Sequence, residues 1–226
     1  MPEPRQIPLA LNHRPQLDRQ SFIGSASNRA ALELIESWPS WPTRTVRLFG
    51  PSGAGKSHLV NIWAALSGAV SEDLNQPASM PGPPCLYIED IDRGPTSEMD
   101  LFHLINAVSE ADRYLLLTAR MPISRWHLTL PDLVSRLRMA TPVQLDPPDD
   151  DLLRQVLVKL FADRQLLVDR AIVDYLLKRM ERSLSAARAI VDAADRRAMA
   201  ENRRISRALI ADVLDHLNGA NFEREN

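Results

Sequence analysis

Up to about residue 147, two hydrophobic patterns alternate along the chain. Short uninterrupted apolar runs, typical of strands buried in a parallel sheet, alternate with segments whose apolar residues recur every three or four positions. The apolar runs predict strands at 45–49, 85–88, 114–118 and 142–145. The helical spacing covers 27–37, 58–67, 98–111 and 130–137. This alternation predicts an α/β fold, with a parallel sheet and helices on both faces.

After Asp146-Pro147-Pro148 only the helical pattern remains. Four segments have helical periodicity, and each begins at or near an Asp or Ser that can act as an N-cap. They lie at 149–163, 169–180, 183–200 and 206–217. We therefore expect a tail at 1–20, an α/β domain at 21–147, a small all-helical domain at 148–219 and a second tail at 220–226. The proline-rich first tail is predicted to be extended and flexible.

The composition is that of an ordinary globular protein. Of 226 residues, 45% are hydrophobic and 25% are charged, and the formal net charge of −2 provides no long-range attraction to nucleic acid. Because the sequence shows neither a signal peptide nor a run long enough to span a bilayer, a cytoplasmic protein without membrane association is expected. The single cysteine, Cys85, is predicted to be a buried strand residue. Scattered histidines make a metal site built only of protein side chains unexpected.

A phosphate-binding motif follows the first predicted strand: Gly50-Pro51-Ser52-Gly53-Ala54-Gly55-Lys56-Ser57. These residues and the next one, His58, are predicted to bind nucleotide. A strand, a glycine-rich turn ending in Lys-Ser and a helix form the context of a P-loop. Its backbone N–H groups surround a diphosphate, and the helix N-terminus adds partial positive charge. In such a loop Lys56 reaches the β- and γ-phosphates, and the Ser57 hydroxyl ligates Mg²⁺. An ordinary glycine turn is the alternative, but all four constrained positions match the motif.

Acidic residues follow the second predicted strand, where Glu89 and Asp90 end an apolar run. Downstream of a P-loop this is the Walker B arrangement, in which one carboxylate faces Mg²⁺ and the next can orient water. An acidic turn at a strand end is the alternative. Thr118, at the tip of the next predicted strand, places a hydroxyl at the same edge of the sheet and is predicted to contact the nucleotide.

A P-loop domain followed by a small helical domain resembles the AAA+ class of nucleotide switches. The segment Phe22-Ile23-Gly24-Ser25-Ala26-Ser27-Asn28 resembles the adenine-side motif of DnaA, the bacterial replication initiator, and implies that Ile23 contacts the nucleotide. Residues 55–59, 130–137 and 176–183 are similar to the Hda family of DnaA-homologous regulators. The likeness covers nearly the whole chain.

Two features favour this family over DnaA itself. The sequence ends soon after the helical segments, so we expect neither a helix-turn-helix domain nor sequence-specific DNA binding. Residues 6–11 have the form Gln-x-x-Leu-x-Leu, which resembles the sliding-clamp-binding motif of the family. In such a motif Gln6 supplies paired hydrogen bonds, while Leu9 and Leu11 fill an apolar pocket.

The resemblance implies a regulator of chromosome replication initiation with bound ADP or ATP and Mg²⁺, and with ADP favoured. Its implied partners are the β subunit sliding clamp of DNA polymerase III and DnaA, and it can also form a homo-oligomer. It would stimulate hydrolysis of DnaA-bound ATP and so prevent re-initiation. Arg136 matches the arginine finger that acts in trans, Asp90 would act in catalysis, and Mg²⁺ would be held by Ser57, Glu89 and Asp90.

Three positions depart from the family pattern. Glu89 replaces the usual first Asp of Walker B, and Arg120 occupies the sensor 1 place where the family usually has Asp. The sensor 2 arginine aligns with Ser185, which leaves Arg188, about one helical turn away, as a substitute. Weak or absent hydrolysis by the chain itself is therefore expected. An active AAA+ ATPase of loader or remodeller type and a DnaA-family adaptor with another target remain as alternatives.

Overall fold

A computed structural model describes residues 17–72, 74, 84–93 and 97–222. The chain divides into two compact units, and the division falls after Pro148. The first unit begins at Leu17, so the expected boundary of the tail at residue 20 is too late. Arg19 forms an ion pair with Glu36, and the Asp18 carbonyl accepts a hydrogen bond from His58. These contacts hold 17–20 on the α/β unit.

The first unit is built on a five-stranded sheet in the order β2-β3-β4-β1-β5, with every pairing parallel. Its strands are β1 (Thr45–Phe49), β2 (Val70–Ser71), β3 (Cys85–Ile88), β4 (Tyr114–Ala119) and β5 (Thr141–Gln144). The central register sets Val46 of β1 opposite Leu116 of β4. β2 was not predicted, because its two residues are exposed at the edge of the sheet and form no apolar run.

Helices cover both faces of this sheet, which confirms the predicted fold class. They are α1 (Arg29–Glu36), α2 (Lys56–Ser67), α3 (Glu98–Glu110) and α4 (Pro131–Met139), with a short 3-10 helix at Ile123–Arg125. On one face α1 and α2 pack with Trp41 and Trp63, whose rings stack with centroids 4.9 Å apart. On the other face α3 and α4 bury Leu101, Leu133 and Leu137 against the sheet.

The second unit is helical, and its elements are α5 (Asp150–Asp163), α6 (Arg170–Leu177), α7 (Leu184–Glu201) and α8 (Arg207–Phe222). Asp149 and Ser183 cap α5 and α7, because their side chains accept the backbone N–H groups of Leu152 and Ala186. The four helices share one apolar core, in which Phe161 and Leu157 are fully buried. α6 ends at Leu177, earlier than the predicted residue 180.

No helix in the described part of the chain is long and apolar enough to cross a membrane.

Candidate nucleotide-binding site

The predicted P-loop lies between β1 and α2, at the carboxyl edge of the sheet. Gly53 and Gly55 adopt φ values of +71° and +107°, which side chains with a Cβ rarely tolerate. α2 begins at Lys56, directly after Gly55. The N–H of Gly50 donates to the carbonyl of Ala119 at 3.2 Å, which ties the start of the loop to the tip of β4. The loop residues between β1 and α2 therefore form the turn that a phosphate cradle requires.

Gly50 is required for a further reason, the close approach of the backbone that follows β5. A Cβ at this position would lie 2.3 Å from the carbonyl oxygen of Leu145. Leu145 is fully buried, and its N–H donates to the carbonyl of Phe49 at 2.8 Å. The start of the P-loop is thus wedged between β4 and the end of β5.

Lys56 is 7% exposed and carries its ammonium group inside this turn. Its Nζ donates to the carbonyls of Gly50 and Pro51 at 2.8 and 3.0 Å. Burial lowers the pKa of Lys56, and the nearby Asp90 carboxylate opposes that change, while the Arg120 guanidinium adds to it. Because the ammonium group of Lys56 is held inside the loop by two carbonyls, it can donate instead to the phosphates of a bound nucleotide.

Ser57 and Glu89 are brought together from the start of α2 and the end of β3. The Ser57 hydroxyl donates a hydrogen bond to Oε2 of Glu89. A hydroxyl and a carboxylate are hard oxygen donors of the kind that Mg²⁺ takes beside nucleotide phosphates, so this pair fits the cation. Among the described residues no group of three His, Cys, Asp or Glu could hold a metal. The pair would therefore bind Mg²⁺ together with phosphate oxygens.

Asp90 lies next to this pair but contacts other groups. Its φ of +51° is unusual for a non-glycine residue. One carboxylate oxygen lies 3.8 Å from the Arg120 guanidinium and 4.0 Å from that of Arg93. The structure thus shows Glu89 beside Ser57, whereas Asp90, which was assigned with them to the metal, faces two cations.

The tips of β3 and β4 are joined by hydrogen bonds. Thr118, fully buried, accepts the Asp90 N–H on its hydroxyl and the Ile91 N–H on its carbonyl, each at 2.9 Å. In return, Oδ2 of Asp92 accepts the backbone N–H groups of Arg120 and Met121 at 2.8 and 2.9 Å. Thr118, a predicted nucleotide contact, therefore fixes the loop that carries the acidic residues.

The segment that carries Ile23 lies on the opposite side of β1, near β5. Asn28 is buried and is the N-cap residue of α1, but its side chain makes no capping bond. Instead it donates to the carbonyl of Ile23 at 3.0 Å and accepts the N–H of Ser25 at 2.8 Å. The Asn28 side chain therefore shapes the turn around Ile23 instead of capping α1.

His58, predicted to contact nucleotide, has its side chain against the N-terminal segment. Its Nε2 donates to the carbonyl of Asp18 at 2.8 Å, and the edge of its ring meets Phe22 with centroids 5.0 Å apart. The side chain is 8% exposed. His58 therefore anchors the segment that precedes α1 to the first turn of the P-loop helix.

Arg136 is exposed in the last turn of α4. Leu133 and Leu137 are fully buried, which fixes the rotation of the helix about its axis. In the described part of the chain Arg136 forms no ion pair and no side-chain hydrogen bond. Its guanidinium is consequently available to another molecule.

In the helical unit Arg188 is half-buried, and burial lowers its pKa, while Asp192 acts in the other direction. Ser185, at the sensor 2 place, is exposed, and Arg182 is paired with Asp150 at 3.0 Å. Arg182 is therefore already paired, and the assignment of Arg188 in place of the missing arginine stays a prediction. The predicted clamp-binding motif at residues 6–11 lies outside the described residues.

Sequence reasoning assigned no role to Asp92, although it belongs to the acidic run that begins at Glu89. Its link to the tip of β4 requires β3 and β4 to be neighbours in the sheet, and local sequence does not predict the order of strands. The available signal was the segment 88–92, in which three acidic residues are interspersed with two isoleucines.

Comparison with solved structures places this architecture among AAA+ folds. Domain III of the replication initiation protein DnaA from Thermotoga maritima matches with a TM-score of 0.76 and 15% identity, over 90% of this chain and 97% of that chain. AMPPCP-bound DnaA from Aquifex aeolicus matches with a TM-score of 0.65 and 15% identity, over 79% of this chain and 65% of that one.

The RuvB Holliday junction branch migration motor of Thermotoga maritima is also similar, with a TM-score of 0.69 and 18% identity, over 89% of this chain and 72% of that chain. No protein-family model matches the sequence. At these identities the comparisons show the fold, which is the AAA+ fold of DnaA domain III and RuvB.

Proposed function

We propose that this chain is a nucleotide-binding AAA+ regulator of the Hda type, which stimulates hydrolysis of ATP bound by DnaA while it is held at the sliding clamp. The exposed, unpaired Arg136 is the observation that carries this proposal. An arginine finger needs a backbone held in a fixed position and a side chain without partners in its own chain. Arg136 on α4 meets both requirements. The AMPPCP bound in the similar DnaA structure supports ATP or ADP as the ligand of the P-loop.

Nucleotide would bind with its phosphates in the turn 50–57 and its base near Ile23. Lys56 would exchange its two carbonyl partners for phosphate oxygens. Mg²⁺, held by Ser57 and Glu89, would neutralise phosphate charge when bound. Because Asp90 faces Arg120 and Arg93, it is poorly placed to orient water, and slow hydrolysis by this chain is the expected result.

Arg136 would act on the nucleotide of the neighbouring molecule. Its permanently charged, planar guanidinium can meet phosphate oxygens in a bidentate way, which lysine does not reproduce. A finger supplied in trans is worth roughly 10³ to 10⁵ in rate. The Gln6, Leu9 and Leu11 motif would bring the chain to the clamp, and so raise its local concentration where DnaA is to be inactivated.

The test is Arg136→Ala in a reconstituted assay of DnaA-bound ATP hydrolysis with clamp loaded on DNA. We expect the stimulation to disappear while nucleotide binding and clamp binding remain. Arg138→Ala is the matched control, because Arg138 is also exposed in the last turn of α4 but lies about 200° around the helix. It should retain the stimulation.

Undiminished stimulation by Arg136→Ala would disprove the finger. Turnover of ATP by the isolated chain above roughly 1 s⁻¹ would identify an active ATPase instead. Binding of the chain to a protein other than DnaA or the clamp, with no effect on DnaA, would identify an adaptor with another target.

A further inference from the structure

Arg47, in the middle of β1, is a buried cation that precedes the P-loop by three residues. It is 7% exposed, although arginine is rarely buried without a partner. Its Nε is fully buried and has no hydrogen-bond partner among the described residues. The side chain also forms no ion pair in that part of the chain. Burying a charge without a partner is costly, so its presence requires an explanation.

The electrostatic surroundings of Arg47 differ from those of other arginines in this chain. Burial lowers the pKa of Arg47, and no described acidic group acts against that effect. At Arg188, by contrast, the Asp192 carboxylate opposes the same effect. Arg44, three residues before Arg47, is paired with Asp112 at 2.6 Å. Arg47 is therefore a cation whose carboxylate is missing.

The side chain of Arg47 points to the face of the sheet on which α3 and α4 lie. Successive strand residues point to opposite faces, and Val46 and Leu48 belong to the core beneath α1 and α2. Arg47 lies opposite Leu117 of β4 and Pro142 of β5. Leu117 is buried with α3 and α4, whereas Pro142 is exposed. Arg47 thus lies where the helical layer ends and the face of β5 is open.

The end of the Arg47 side chain reaches the surface at this place. Its Nε is fully buried without a partner, but its two terminal nitrogens are not among such atoms in the described residues. A guanidinium so little exposed admits a small planar anion, whereas a nucleic-acid phosphate is flanked by sugars on both sides. Pro142 has no backbone N–H, which makes β5 a poor edge for an added strand. A ligand would therefore contribute a single anionic group.

We propose that Arg47 is the centre of an anion site that takes a carboxylate, either as a free ion or from an acidic side chain of a second copy of this chain. The two terminal nitrogens of arginine present N–H groups that match the two oxygens of a carboxylate. Such a charge-assisted pair would offset the burial of the guanidinium. The proposal does not depend on the proposed function, because the site lies on the face of β1 and not in the P-loop.

The experiment follows thermal unfolding of the full chain by tryptophan emission, in potassium acetate or potassium chloride of equal ionic strength. The melting temperature of wild type should rise with acetate and level off, by about 4 °C at ten times the dissociation constant. Arg47→Met keeps an apolar stem without the charge and should show no such rise. Without acetate it should melt above wild type, because the unpaired charge is gone.

Two further variants control this comparison. Arg44→Met removes an arginine that already has a partner, and should keep the acetate response. Arg47→Lys retains the charge but not the paired N–H groups, and should respond less than wild type. The inference is wrong if wild type shows no saturable rise. It is equally wrong if Arg47→Met shows the same rise, since Arg47 would then be buried only for the packing of its stem.

The P-loop is excluded as the acetate site by repeating the titration with ADP and Mg²⁺ present and with Lys56→Ala. A response lost in either case would place acetate in the P-loop and overturn the inference, while the proposed nucleotide site would stand. Sedimentation velocity over a range of protein concentrations separates the two sources of carboxylate. Association that both acetate and Arg47→Met weaken identifies a second copy, and a monomer throughout identifies a free carboxylate.

Discussion

Replacing Gly50 by alanine tests how tightly the P-loop is wedged into the sheet. The new Cβ would lie 2.3 Å from the Leu145 carbonyl oxygen and 3.1 Å from its Cβ. Leu145 cannot retreat without losing its buried position and its 2.8 Å hydrogen bond to Phe49. Forcing a methyl group into a packed site costs about 1–3 kcal/mol. We expect the free energy of unfolding of the α/β unit to fall by about 2 kcal/mol.

Two other glycines provide matched controls for this change. A Cβ on Gly68 meets nothing within 4 Å, but its φ is +71°, so alanine there should cost about 1 kcal/mol of backbone strain. A Cβ on Gly24 also meets nothing within 4 Å, and Gly24 does not have the left-handed φ of Gly68. Gly24→Ala should be neutral, or stabilising by less than about 1 kcal/mol.

The measurement is urea unfolding followed by tryptophan fluorescence. All four tryptophans, Trp38, Trp41, Trp63 and Trp126, lie in the α/β unit, so their emission reports that unit and not the helical one. The reasoning is refuted if the unfolding free energies of Gly50→Ala and Gly24→Ala differ by less than about 0.5 kcal/mol, because a backbone clash should destabilise the protein by more than that.

Two further outcomes are expected. Alanine at Gln6, Leu9 and Leu11 should abolish clamp binding without changing the melting temperature, and a lost fold would show that these residues belong to the globular structure. Glu98 accepts the N–H groups of Thr129 and Leu130 at 3.0 and 2.7 Å, which lowers its pKa. Its stabilising effect is thus present above its ordinary pKa and lost as the pH falls through its lowered one. Glu98→Gln should be less stable than wild type at neutral pH but equal in acid, and a difference independent of pH would contradict this.

The predictable part of the fold is the part that uninterrupted apolar runs specify. β1, β3 and β4 coincide with such runs because most of their residues are buried in the sheet. β5 is a half-exposed edge strand, and β2 is exposed and has no apolar run. The P-loop could also be predicted from sequence, because glycines followed by lysine and serine at this spacing are rarely found in other kinds of turn. α6 was predicted to continue to residue 180, because the buried Met180 fits the helical spacing although it follows the helix.

The contacts of the site were less predictable, because they join segments distant in sequence. Local sequence groups Asp90 with Glu89, but the structure separates them, with one carboxylate at Ser57 and the other at Arg120. That separation depends on β3 and β4 being neighbours and on a left-handed residue at position 90, neither of which is encoded in a short motif. The contact of His58 with Asp18 is equally non-local. Because of such contacts the α/β unit begins at Leu17, before the predicted residue 21.

The link between Asp92 and the tip of β4 has a consequence for how mutants of this protein are interpreted. The Asp92 carboxylate is occupied by the amides of Arg120 and Met121, so its substitution would loosen the loop that presents Glu89 and Asp90 and the strand end that presents Thr118. A mutant screen for loss of nucleotide binding would therefore identify Asp92 as well as the residues that contact the ligand. Only a comparison of local stability with affinity would distinguish the scaffold from the site it supports.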